Sequence, residues 1–296
     1  MSDRRTQRGF TLVEVGFSIA IIALLIGLLL IGLNSMNKAA RRAVERQNVA
    51  SLKMGVDHFQ DTFGFLPPLV DDGRISGSPP LVSAGGSGRM RPVIYSAEND
   101  WDFLRGDDTS RPEYERFSVH SIAYYLLGAL GSEVDGIDGP GFGEPLPDGR
   151  FRIAWDDKKG EWYAAGRRTD PLFDTSKNPE GLYYDHDRLQ EGRVELRDRN
   201  GVAYRYYRWI SGDENGEIKD ASDLNIPDLL GKAEDNPELR SAKFAIVAAG
   251  PNRVFGEGAT EGGAAGLALA LGQSASDPVE KLESLGRQDN IVEVGR

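Results

Sequence analysis

The chain has 296 residues, 40% hydrophobic and 27% charged, which is enough apolar content for a buried core and too much for a disordered polymer. The absence of cysteine excludes disulfides, thiolate metal sites and thiol nucleophiles, and the three histidines (His58, His120, His186) form no His-Glu-x-x-His-type pair. A net charge of −11 argues against a surface that coats phosphate backbones, so no nucleic-acid partner is expected.

The first nine residues, MSDRRTQRG, set Arg4, Arg5 and Arg8 against Asp3. From Val15 to Asn37 there follow 23 residues without a charge, mostly Ile, Leu, Val, Ala and Gly. At 1.5 Å per residue this run spans roughly 34 Å, enough for a hydrocarbon core of about 30 Å. A secretory signal has a shorter apolar part and a small-residue cleavage site at its end. Here the run passes into Lys38-Ala39-Ala40-Arg41-Arg42-Ala43-Val44-Glu45-Arg46, which contains no Gly or Pro and favours continued helix.

Glu14 lies at the edge of the apolar run, where a carboxylate is costly unless it is paired or neutralised. One account places it at the headgroup level, favoured by the helix macrodipole. Gly16, Ala20, Ala23 and Gly27 recur at intervals of 4, 3 and 4 and form one stripe of small residues. Such stripes let membrane helices approach closely, although Gly and Ala are also common in membrane helices generally. Glu14 points away from that stripe, so the two features face different neighbours.

Arg8-Gly9-Phe10-Thr11-Leu12-Val13-Glu14 ahead of a charge-free run resembles the type IV prepilin signature. That signature is shared by type IV pilins, type II secretion pseudopilins and competence pilins. The resemblance implies that residues 1–9 are a cytoplasmic leader, cut after Gly9 by a prepilin peptidase, and that Phe10 becomes the N-methylated first residue. It further implies that Glu14, the fifth mature residue, pairs with the N-terminal amine of a neighbouring subunit during assembly. One departure is the lack of a proline within the apolar segment, where many pilins carry one.

Beyond the basic stretch, Val49, Leu52, Val56, Phe59 and Phe63 recur at helical intervals and predict an amphipathic continuation over 38–64, closed by Gly64-Phe65-Leu66-Pro67-Pro68. The whole helix, from Phe10 to Phe63, would run roughly 80 Å. Residues 69–115 are rich in Gly, Pro, Ser and charge and predict a long loop. FSVHSIAYYLLGAL (117–130) predicts a short buried helix. DGIDGPGFGEPLPDG reads as loop, because Asp135, Asp138 and Asp148 do not have the spacing of a helix–loop–helix calcium site.

Strands are predicted over 151–156 and 161–167 around Asp157-Lys158-Lys159-Gly160, over 194–198 and 202–210 around Asn200-Gly201, and over 243–250. Asp198, Gly201, Tyr204 and Tyr206 follow the spacing with which the sheet opens in the resembled family. The insert 211–240, with nine acidic residues and two lysines before Arg240, reads as a solvated decoration, and 256–288 as a Gly/Ala-rich loop. The expected fold is α+β: a long N-terminal helix, half membrane and half amphipathic, packed on a small antiparallel sheet within a head spanning 65–296.

KFAIVAAGPNRVFGEG and QDNIVEVGR resemble the two halves of the calcium loop that ends major-pseudopilin heads. Carried over by position, Asn252, Asp289 and Asn290 are the candidate ligands, and calcium is the one cofactor implied. Asn252 stands where the family has an aspartate, and a loop closed by Asn and Asp hydrogen bonds is the alternative. FGEGATEGGAAG lacks phosphate-loop spacing, and Asp185-His186-Asp187 has no nucleophile placed to use it, so no catalytic residue is assigned.

The resemblance therefore implies a filament subunit, most like a type II secretion pseudopilin of the major kind with an enlarged head. Such a subunit is anchored in the bacterial inner membrane by 10–37 with its head in the periplasm. Its implied partners are other pilin or pseudopilin subunits, a prepilin peptidase, an inner-membrane assembly platform and membrane lipid. Two other readings stay open: a minor pilin or tip subunit whose loops 69–115 and 211–240 bind a ligand or secreted substrate, and a membrane protein with an unrelated head.

Overall fold

The computed structural model describes residues 12–70, 81–84, 89–92, 94–95, 116–147, 149–177, 182–184, 194–212, 216–258 and 262–296. Their contacts divide into two compact units, residues 1–44 and 45–296.

Helix α1 runs Leu12–Phe63 without a break. Over residues 15–27 its side chains, including Phe17, Leu24 and Leu25, are exposed in the single chain. Among the described residues no helix is long and apolar enough to cross a membrane.

The α1 residues of the second unit follow the predicted stripe: Val49, Leu52, Val56 and Phe59 are fully buried. Phe59 sits among Phe63, Phe65 and Tyr125, with ring centroids 4.7, 5.5 and 5.6 Å away. Gly55 lies on the same side, where an added Cβ would come within 2.9 Å of Leu126 Cδ1, so its lack of a side chain lets the short helix α2 (Ser121–Leu126), which α3 (Ser132–Asp135) follows, approach. Gly64, at φ +82°, ends α1 in the left-handed conformation that glycine adopts without strain.

Eight short strands come first in chain order. These are β1 (Leu69–Val70), β2 (Leu81–Ala84), β3 (Arg89–Pro92), β4 (Ile94–Tyr95), β5 (Phe117–Ser118), β6 (Ile153–Asp156), β7 (Glu161–Ala164) and β8 (Leu182–Tyr184). They are followed by β9 (Val194–Leu196), β10 (Arg205–Arg208), β11 (Phe244–Ala248) and β12 (Ile291–Gly295). The central sheet is antiparallel in the order β12-β11-β10-β5, with Tyr206 opposite Ile246 and Ser118, and Ile246 opposite Glu293.

The protein is thus α+β, with an N-terminal helix and a small antiparallel sheet. The remaining strands form separate pairs, β1–β4, β2–β3, β6–β7 and β8–β9. This corrects the single sheet expected of all the predicted strands. Strands β6 and β7 pair with each other outside the central sheet, around the facing Trp155 and Trp162, and Val194–Leu196 pairs with β8.

Composition misleads in three segments. Within 69–115, read as loop, the described residues form the pairs β1–β4 and β2–β3. Within 256–288, also read as loop, lie α4 (Gly263–Leu271) and α5 (Val279–Arg287), joined through Leu267, Ala268 and Leu282. The acidic insert 211–240 is not merely a solvated decoration. Leu224, Leu229, Leu230 and Leu239 bury themselves against Tyr207, Trp209, Ala245 and Val247, on the sheet face opposite α1. All five residues of β11 are buried. A strand apolar on both sides needs a cover on both, and the insert supplies the second.

Candidate assembly site

Gly9 and Phe10 lie outside the described residues, and Glu14 is placed only as a helical backbone position in α1. Gly16, Ala20, Ala23 and Gly27 are all on that helix and all exposed in the single chain. A Cβ added at Gly16 or Gly27 would meet nothing within 4 Å, so no contact inside this chain requires glycine there. The small-residue stripe is open along its length, a surface against which a second helix backbone can come close.

Within the second unit, the α1 residues are tied to the turn before β10 by a residue that spacing alone did not single out. Glu45, 4% exposed, accepts the hydroxyl hydrogen of Tyr204 and a 3.4 Å hydrogen bond from the Arg199 backbone N–H. Burial raises the Glu45 pKa, and the Tyr204 hydrogen bond opposes that rise. Burial and the neighbouring Glu45 carboxylate both push the Tyr204 hydroxyl up, so the proton stays on the tyrosine and the pair is a charge-assisted hydrogen bond.

Tyr204 is aimed by the turn before it. Asp198 Oδ1 accepts from the backbone N–H groups of Asn200 and Val202 at 2.8 and 2.9 Å, and Gly201 takes φ +81°. The Asp198–Gly201–Tyr204–Tyr206 spacing thus describes a capped turn feeding β10. The sequence signal for Glu45 itself was that it is the one acid between Glu14 and Asp57.

Three further buried ionisable residues, Arg205, Glu257 and Asp135, organise the head. Arg205 pairs with Glu257 while its guanidinium lies 4.2 Å and 3.8 Å from the ring centroids of Phe117 and Phe255. Asp135, fully buried, accepts from the backbone N–H groups of Ala129 at 3.0 Å and Ile137 at 2.9 Å. Burial pushes its carboxyl up to about 7, against the pull of those hydrogen bonds. It closes a glycine-rich knot: a Cβ at Gly143 would stand 2.3 Å from the Asp135 carbonyl oxygen, and one at Gly128 2.0 Å from that of Gly141.

The candidate calcium residues lie around the loop that joins β11 to the C-terminal strand. Asn252 Nδ2 donates to the Gly286 carbonyl at 2.6 Å and its Oδ1 accepts from Val254 N–H at 3.2 Å. Asn290 Nδ2 donates to the Phe255 carbonyl at 2.9 Å, while its Oδ1 is buried without a hydrogen-bond partner among the described residues. That oxygen is the one feature in favour of an ion. Asp289 is the only carboxylate of the three, and among the described residues no three His, Asp or Glu side chains gather as a metal site. A hard cation takes six to eight oxygens, carbonyls and waters included, and Asn252 Oδ1 is already engaged by the Val254 N–H.

No curated protein and no solved structure matches the chain. Residues 4–30 match the prokaryotic N-terminal methylation motif, which gives the chain the prepilin signature of type IV pilin-like subunits.

Proposed function

We propose that the protein is a structural subunit of a type IV pilin-like filament and, within that class, a type II secretion pseudopilin that polymerises to drive protein export. The observation that carries this reading is the methylation motif at residues 4–30, set on a helix whose apolar side chains are exposed over 15–27. A prepilin peptidase cuts between Gly9 and Phe10, Phe10 is N-methylated, and residues 10–37 anchor the subunit in the inner membrane with its head in the periplasm. An inner-membrane assembly platform then adds subunits to a growing fibre.

Glu14 supplies registration. A carboxylate in an apolar surrounding is expensive alone and is stabilised by an ammonium close by. The N-terminal amine of the neighbouring subunit provides that charge only in the polymer, so the cost falls on misassembled states. The open stripe of Gly16, Ala20, Ala23 and Gly27 gives helices in the fibre core a face for close approach. A second reading, a minor or tip subunit, is favoured by Leu269, 83% exposed on the uncharged helix α4.

The test is Glu14→Ala in a host that assembles the fibre. The variant is expected to be inserted and processed but to give no sheared filaments by electron microscopy. Filaments at the wild-type level would contradict the proposal. Leu269→Asp separates the two readings, because it leaves assembly intact and removes ligand or substrate capture only in a tip subunit.

A further inference from the structure

Strand β10 carries two arginines on opposite faces, and their surroundings differ. Arg205 pairs with Glu257 and lies against two aromatic rings. Arg208 stands directly opposite Phe244, so it shares the α1 face of the sheet with Tyr206, two positions earlier on the strand. There its Nε is buried without a hydrogen-bond partner, and so is the Tyr206 hydroxyl. Among the described residues no carboxylate pairs with Arg208. The groups close enough to act on its charge are the hydroxyls of Tyr206 and Tyr125, and the second of these donates to the Gly149 carbonyl at 2.5 Å.

A guanidinium keeps its proton, so it does not escape the cost of burial by becoming neutral. Interiors meet that cost with a counter-charge. The phenol beside it keeps its proton too, because burial pushes the Tyr206 hydroxyl up while Arg208 opposes the rise. Two donors, one charged and one neutral, thus share one face of β10 with no acceptor between them. Arg208 is partly exposed as a whole residue, so a solute reaches it from outside.

We propose that Arg208 and the Tyr206 hydroxyl form a binding site for a carboxylate, with the guanidinium supplying the charge and the phenol a second donor. Charge balance selects the class. One cation neutralises one negative charge, whereas a phosphate dianion would leave an extra charge beside Phe244 and Ile246 on an apolar face. Geometry selects it as well, because the planar fork of arginine matches the two oxygens of a carboxylate. A small organic acid and the carboxylate of a polypeptide share this chemistry, and the experiment tells them apart.

The experiment is thermal unfolding of the full chain in an uncharged detergent at neutral pH, titrated with sodium acetate and, separately, with sodium chloride at equal ionic strength. The expected result is a saturable rise in melting temperature with acetate that chloride does not give. Arg208→Met should abolish the rise and, in acetate-free buffer, melt no lower than wild type, because it removes a charge that lacks its partner. Tyr206→Phe should fold without loss and weaken acetate binding about tenfold, the worth of one hydrogen bond to a charged group. N-acetylalanylalanine, as the free acid and as its C-terminal amide, forms the second arm. A free acid held more tightly than acetate, with the amide inert, assigns the site to a polypeptide carboxylate, and equal affinity assigns it to a small organic acid. Identical curves with acetate and chloride would overturn the proposal, as would a rise retained in Arg208→Met. So would an Arg208→Met chain that melts well below wild type in acetate-free buffer, because the charge is then already paired within the chain.

Discussion

At the scale of single residues, the protein spends its buried polar groups on joints. Tyr204 to Glu45 joins the residue just before β10 to α1 across 159 positions of sequence. Tyr204→Phe leaves a desolvated carboxylate without its donor and is expected to cost about 1–3 kcal/mol, read as a lower midpoint of urea unfolding. A midpoint unchanged from wild type would show that the hydroxyl anchors nothing. Asp135 yields a pH dependence with a definite sign. Its native carboxyl titrates at about 7, whereas an unfolded aspartate titrates near 3.9. The native state therefore binds the extra proton, and the resulting stability is complete below about pH 4 and lost as pH rises through 7. Melting temperature should rise as pH falls from 8 towards 5, and Asp135→Asn should flatten that slope. An equal slope in the variant would assign the dependence to other groups.

At the scale of elements, the acidic insert shows why average composition is a poor guide. Its nine acids lie among Leu224, Leu229, Leu230 and Leu239, and those four leucines close the second face of the sheet. Leu239→Ala, at a fully buried position, is expected to cost about 2–5 kcal/mol, measured as a shift in the unfolding midpoint. A cost below about 0.5 kcal/mol would mean that the insert is a decoration after all. The stripe on α1 behaves oppositely. Gly16→Leu and Gly27→Leu have open space in the single chain, so they should leave its melting temperature unchanged and block filament assembly.

What was legible follows the same physics. The methylation motif and the Val49–Phe59 stripe are local patterns, and both can be read from consecutive residues. The pairing of β10 with β5 and β11, the Glu45–Tyr204 joint and the Arg205–Glu257 pair join residues far apart in the chain, and no local period encodes them. Helix α4 was hidden because glycines surround its Gly-Ala-Ala-Gly-Leu-Ala-Leu-Ala-Leu run, although that run ends in strong helix formers.

At the scale of the whole molecule, one unit offers exposed apolar helix and the other is a head whose sheet is covered on both faces. That division fits a subunit whose free surface is for assembly and whose C-terminal loop is held by hydrogen bonds from Asn252 and Asn290. Accordingly, adding calcium or a chelator should leave the melting temperature of the head unchanged, and a calcium-dependent rise would restore an ion at Asn252, Asp289 and Asn290. The most direct measurement is the intact mass of the protein made with and without an active prepilin peptidase. The account predicts loss of Met1–Gly9 and gain of one methyl group on Phe10 when the peptidase is present. An uncut chain beside a control substrate that is fully processed would contradict it.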